Sequence, residues 1–166
     1  MRVFLKLMIV VTLSLITASV IGAEMAKEGT GEGVTFFTGT SQVLAQGKEN
    51  LVINYEARGI SKVDDETSPF FMTSSLCVGS SKVMKGAFKE SGLCTITRTD
   101  GDQIYMSYEA DGKRGSPVKG TYILVGGTGK WTGITGNGEF VRTYLKGPAQ
   151  GISASISKTK GSWKLP

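Results

Sequence analysis

Apolar residues recur at every second position in short runs along most of the chain, and clusters of Gly, Asp, Asn and Ser separate the runs. This is the pattern of half-buried strands joined by turns, not of amphipathic helices. A first strand is expected from Val34 to Ala45, after the glycine-rich stretch Gly29 to Gly33. Leu51, Ile53, Tyr55 and Ala57 then alternate with Asn54, Glu56 and Arg58, and Asp64, Asp65 and Glu66 mark a loop. Further strands are expected from Phe70 to about Val78, from Ser81 to Phe88, and around Leu93, Thr95 and Thr97. Thr99-Asp100-Gly101-Asp102 carries the Asp-Gly signal of a hairpin. Gln103 to Ala110 follows, with Ile104, Met106 and Tyr108 on one face, and Asp111 to Gly115 is the next turn. Val118 to Val125, Glu139 to Leu145 and Ile152 to Ser157 complete the set.

About eight short strands at regular spacing predict an all-β chain, either an antiparallel eight-stranded barrel or a sandwich. Mostly short connections favour the up-and-down barrel. An interior of that size is filled by side chains or holds one small ligand.

The first 23 residues read as an address, not as part of the fold. Arg2 and Lys6 precede an uncharged apolar run from Leu7 to Ile16, and Ile21-Gly22-Ala23 supplies a small residue before a cut. This is the layout of a secretory signal peptide, which predicts cleavage after Ala23 and one barrel domain over residues 24–166. The protein is then expected to be secreted or periplasmic, with no membrane association once the leader is removed. Losing Arg2 and Lys6 lowers the net charge from +5 to +3. The remaining cations, Lys48, Lys62, Lys82, Lys85, Lys113 and Arg114 among them, are scattered singly, without the clustered stripe of a nucleic-acid surface.

The chain contains no histidine, which excludes Ser-His-Asp and Cys-His catalysis and His-ligated zinc. Two cysteines cannot build a structural zinc site. In an oxidising compartment Cys77 and Cys94 are expected to pair, and without C-x-x-C spacing they carry no redox motif. No cofactor and no metal are expected; the acidic pairs, including Asp100 and Asp102, read as turn chemistry.

Gly126 to Gly138, GGTGKWTGITGNG, is the most distinctive stretch. It mimics a phosphate-binding loop, but Trp131 follows Gly129-Lys130 where Ser or Thr is required, and Leu124 stands in place of the first glycine. Gly127, Gly129 and Gly133 suit a tight corner between two strands, with Trp131 as its apolar plug.

With the strand before it, Gly120 to Phe140 (GTYILVGGTGKWTGITGNGEF) resembles the G-x-Y-x-hydrophobic-x-GG-[TS]-G-x-aromatic-x-G-x-x-G stretch of the allene oxide cyclase-like barrel superfamily. That superfamily includes plant allene oxide cyclases, dirigent proteins and exported bacterial proteins. The resemblance implies an eight-stranded antiparallel barrel with a central cavity and self-association as trimers or dimers. It places neither family's functional residues on positions of this chain, because the matching residues are architectural.

Polar and aromatic residues on apolar faces are the candidate pocket lining: Tyr55, Tyr122, Arg142 and Tyr144, the last two sharing a face with Phe140. Aromatic walls around one arginine would suit a small anionic or amphipathic ligand. Glu56 and Glu109 could act as acid or base only if turned inward. The expected function is therefore that of an exported, non-enzymatic barrel that binds a small apolar or amphipathic molecule or serves a structural or interaction role. The alternative is cyclase- or dirigent-like control of a hydrophobic intermediate held in the cavity.

Overall fold

The structure, a computed structural model, describes residues 26–166; the leader expected over residues 1–23 lies outside them. Eight strands follow one another: β1 (Glu28–Gln46), β2 (Asn50–Lys62), β3 (Ser74–Met84), β4 (Ala87–Thr97), β5 (Gln103–Lys113), β6 (Val118–Gly127), β7 (Thr135–Leu145) and β8 (Ile152–Lys164). Each pairs antiparallel with the next, and β8 pairs back onto β1, so the sheet is a closed up-and-down barrel. Closure runs through β1, whose 19 residues meet β2 over Val34–Gln46 and β8 over Glu28–Thr40. Among the described residues no helix is long and apolar enough to cross a membrane.

The strands differ from the sequence expectation in three places. β1 begins at Glu28 rather than Val34, because Gly29 lies against the Trp163 ring and the glycine-rich stretch can join the ladder where larger side chains could not. Phe70 to Thr73 is not strand. It belongs to the β2–β3 connection, which buries Ser68, Pro69 and Thr73 at one end of the barrel. The run expected from Ser81 to Phe88 straddles a two-residue hairpin at Lys85-Gly86, where φ is +50° and +82° and Met84 pairs with Ala87. Positive φ at both positions normally selects Asn-Gly, so a lysine there disguised the turn.

Side chains alternate between the two faces, and inward aromatic rings rest on glycines of neighbouring strands. Gly79 and Gly92 face each other across β3 and β4 beneath the rings of Tyr55 and Tyr108. Gly138 and Gly161, opposite one another on β7 and β8, underlie Tyr122, while Gly59 underlies Phe37 and Gly120 underlies Phe140. A side chain at any of these glycines would occupy the space a ring now fills. The abundance of glycine is in this sense the complement of the inward aromatics.

The two ends of the barrel differ. Trp131, on a single 3-10 turn over Gly129–Trp131, is 1% exposed and meets Trp163 edge-on, with ring centroids 5.9 Å apart. Ile96, Ile104, Leu124 and Ile134 complete an apolar plug. The Arg98 guanidinium stacks 4.9 Å over Trp131 and donates from Nη1 to the carbonyls of Ser68 (3.1 Å) and Pro69 (2.7 Å), tying the β2–β3 connection to the plug. Gly127 passes too close to the Gln103 and Trp131 carbonyls for any Cβ. Gly129 (φ +53°) abuts the Asp102 carboxylate and Gly133 (φ +77°) abuts Pro166. Asp100 binds Lys130, and Asp102 accepts from the Lys130 amide at 3.2 Å, so both carboxylates serve this corner. Among the described residues no group of three or more Cys, Asp or Glu side chains is placed to hold a metal ion.

Cys77 and Cys94 stand directly opposite on the inner faces of β3 and β4 and form a disulfide, closing a loop with a sequence separation of 17. A loop of that length is worth about 3 kcal/mol through the unfolded chain. The double variant Cys77→Ala/Cys94→Ala should therefore lower the thermal midpoint by about 10 °C. A midpoint in differential scanning calorimetry equal to the parent's would refute this. Gly92→Ala should cost about 1–3 kcal/mol by overpacking, because its Cβ would lie 2.6 Å from the Val78 carbonyl and against the Tyr108 hydroxyl. Urea unfolding that shows no loss would contradict the ring-on-glycine packing.

Candidate functional site

One ion pair is buried inside the barrel. β4 presents Phe88, Glu90, Gly92, Cys94 and Ile96 inward, and β7 presents Phe140, Arg142 and Tyr144. Arg142 Nη1 donates to Glu90 Oε1 at 2.7 Å, and the two side chains are 12% and 1% exposed. The guanidinium lies among three rings, 5.8 Å from the centroid of Phe37, 5.5 Å from Tyr108 and 5.1 Å from Phe140. The faces of these rings favour a cation, which offsets part of the cost of taking it out of water.

The Tyr55 hydroxyl donates to the same Glu90 oxygen and is also hydrogen-bonded to the Tyr108 hydroxyl. Tyr55 has one proton and gives it to the carboxylate, so Tyr108 must donate to Tyr55. The result is a directed chain, Tyr108 to Tyr55 to Glu90, ending on the oxygen that also accepts from Arg142. Burial, reinforced by the Glu90 charge, pushes the Tyr55 hydroxyl well above its usual 10.0. Burial likewise raises Tyr108, partly opposed by its bond to Tyr55, and raises Tyr122 on its own. For Arg142 burial acts to lower the pKa, but the Glu90 carboxylate beside it outweighs that and the guanidinium stays charged. Glu90 Oε2 and Arg142 Nε are buried and have no hydrogen-bond partner within the protein.

Two chambers meet at Arg142, and both are also lined by Phe37 and Tyr108; Glu90 lines only the outer one. The inner one, about 70 Å³, lies toward the plugged end between Tyr122, Trp163 and Phe140 and a row of hydroxyls that includes Thr35, Ser75 and Ser157. The outer one, about 200 Å³, is bounded by Tyr55, Glu90, Phe88, Tyr144 and Ile53. A third cavity of about 330 Å³ shares Ile53, Phe88 and Tyr144 with the outer chamber and reaches the β5–β6 turn at the opposite end of the barrel. The barrel is thus plugged at one end and hollow toward the other.

Of the residues singled out in the sequence, Tyr55, Arg142 and Tyr144 come together around the outer chamber, and Tyr122 lies apart in the inner one. Tyr144 packs edge-on against Phe88, with centroids 6.3 Å apart, and remains 46% exposed. Glu56 and Glu109 point outward, Glu56 onto Arg58 at 2.7 Å. The sequence expectation missed Glu90, Tyr108 and Phe37 as site residues. The signal for Glu90 was present, an acid at period two within an otherwise apolar or small face, but breaking the strand between Phe88 and Leu93 hid it. Glu90 also removes the basis for expecting an anionic ligand, because it already neutralises Arg142.

The raised tyrosines bear on alkaline stability. Tyr55, Tyr108 and Tyr122 stay protonated when folded but ionise near pH 10 when unfolded, so their contribution is complete below pH 10 and is lost as pH rises above it. Tyrosinate absorbance should therefore rise for these three only together with unfolding, in a steep step. A smooth titration of all the tyrosines in the folded protein would contradict this.

No family model matches the chain, and no curated protein matches it. Among solved structures it is similar to the pterocarpan synthase dirigent protein GePTS1, with a TM-score of 0.54 at 12% identity over 86% of this chain and 90% of that one. At that identity the likeness is one of fold: the chain has a dirigent-like eight-stranded barrel.

Proposed function

We propose that this is an exported barrel that binds a small, neutral, amphipathic molecule in its outer chamber without transforming it. The observation that carries this reading is the Glu90–Arg142 pair, buried in an aromatic chamber of about 200 Å³ with one carboxylate oxygen lacking a protein partner. Tyr55, Glu90 and Arg142 all line that chamber, so a ligand hydroxyl or amide meets polar groups there that are costly to bury without partners. The pair carries no net charge, and the walls around it are rings and small side chains, so an apolar body with one polar group is the matching shape. Cleavage after Ala23 would deliver residues 24–166 to an oxidising compartment, where the Cys77–Cys94 disulfide is at home.

A second reading takes the likeness to a dirigent protein further. The same chamber would hold a reactive intermediate in one orientation and so direct its coupling, with the Tyr55–Glu90 contact fixing the pose. Product chirality, measured with and without the protein, separates this from simple binding.

The test uses a pair of dyes, neutral N-phenylnaphthylamine and its sulfonated analogue. The neutral dye should bind saturably with enhanced fluorescence, and the sulfonate at least about tenfold more weakly, a difference of 1.4 kcal/mol. Ala57→Leu, which adds bulk to the wall of the outer chamber and keeps both members of the ion pair, should abolish neutral-dye binding while the far-UV spectrum stays unchanged. Equal affinity for both dyes, or undiminished binding to Ala57→Leu, would sink the proposal. Glu90→Gln, which keeps the shape, should lose less stability than Glu90→Ala, for which breaking a buried pair costs about 3–5 kcal/mol.

A further inference from the structure

The up-and-down topology sorts the charges of the chain by barrel end. The β1–β2, β3–β4, β5–β6 and β7–β8 turns all lie at the hollow end, and with the adjoining strand ends they carry Lys48, Lys85, Lys113, Arg114 and Lys146 against the acids Glu49 and Asp111. The connections at the plugged end carry Asp64, Asp65, Glu66, Asp100 and Asp102, and their cations Arg98 and Lys130 are both bound to Asp100. Near the hollow end Lys82 and Lys89 also stand directly opposite one another on the outer face of β3 and β4, with Asp111 of β5 opposite Lys89 on its other side. Among the described residues none of these seven hollow-end cations forms an ion pair within the protein.

Apolar side chains project from the same rim. Val43, Leu44, Met84, Tyr144, Leu145 and Ile152 lie within four residues of the turns and are 39–62% exposed. Neither set alone would name a partner. An anionic polymer would match the cations and leave the apolar ring in water, whereas an apolar protein patch would match the ring and strand the cations. The interface of a bilayer containing anionic lipid satisfies both, with headgroups against the lysines and the upper acyl region against the ring.

We propose that the hollow end of the barrel docks on an anionic lipid surface. Docked in this way, the cavity beside Lys113 and Arg114 faces the bilayer and leads past Ile53, Phe88 and Tyr144 to the outer chamber, so an apolar molecule can pass between membrane and barrel without crossing water. This departs from the expectation that the barrel has no membrane association once the leader is removed. It does not depend on the identity of any ligand.

Flotation with vesicles tests it, using the chain from Glu24, which contains the whole closed sheet and lacks the apolar leader. The protein should float with mixed phosphatidylglycerol and phosphatidylcholine vesicles and remain below with phosphatidylcholine alone. The variant Lys48→Gln/Lys85→Gln/Arg114→Gln/Lys146→Gln should weaken binding by about 30-fold or more. The variant Lys27→Gln/Lys62→Gln/Lys158→Gln/Lys164→Gln, with the same change in charge elsewhere, should shift it by less than about threefold. Leu44→Ser/Leu145→Ser should also weaken it while leaving the far-UV spectrum intact. No flotation with the anionic vesicles, or equal losses in the two glutamine variants, would overturn the proposal. So would heparin binding as strong as vesicle binding together with an unaffected serine variant, since the partner would then be a soluble polyanion. Because none of these variants enters the outer chamber, dye binding should survive in all of them, which keeps failure here distinct from failure of the ligand reading.

Discussion

Closure of the sheet through the β1–β8 ladder is the constraint from which the other features follow. A closed antiparallel sheet has no unpaired edge, so every strand must divide its side chains strictly between inside and outside. The interior then has a fixed girth, and inward positions on neighbouring strands compete for the same space. That competition is why Gly79 and Gly92 pair beneath tyrosines and why Gly138 and Gly161 pair beneath Tyr122. It also explains the placement of the disulfide, since two inward cysteines directly opposite on adjacent strands are already within bonding reach.

The interior separates stability from chemistry along its axis. At one end Trp131, Trp163 and their aliphatic neighbours form an ordinary dry core, braced by Arg98. At mid-barrel the Glu90–Arg142 pair is costly to bury, and rings and hydroxyls hold it in place instead of additional charges. Beyond it small residues such as Ser41, Ala57, Ser81 and Ser153 share the lining with a few rings and aliphatic side chains, and the barrel is hollow. The gradient from packed to open lets one sheet carry both a core and a chamber.

Most of the architecture was legible in the chain because period-two alternation is a local property. Strands such as β5, with Ile104, Met106 and Tyr108 in phase, announce themselves. The Asp-Gly hairpin at Asp100-Gly101 did so as well, whereas Lys85-Gly86 did not, because lysine is an unusual occupant of a left-handed turn position. Arg142, Tyr55 and Tyr144 could be found as polar atoms on apolar faces. What could not be read was which residue from a distant strand would meet them, because the partnership of Glu90 with Arg142 spans 52 positions and depends on how the barrel closes. The gathering of single lysines at one rim was invisible for the same reason: it is a property of the topology, not of any stretch of sequence.

The glycine floors also give the interior a direction of change. A ring lying on a glycine can be replaced by a smaller side chain, which enlarges the chamber and leaves the backbone where it is. The glycine itself cannot grow without displacing either the ring or the sheet. Successive substitutions can therefore widen this barrel more readily than they can narrow it. Chains descended from it that come to hold different molecules should differ mainly at Phe37, Tyr55, Tyr108 and Phe140, while Gly59, Gly79, Gly92 and Gly120 beneath them stay as they are.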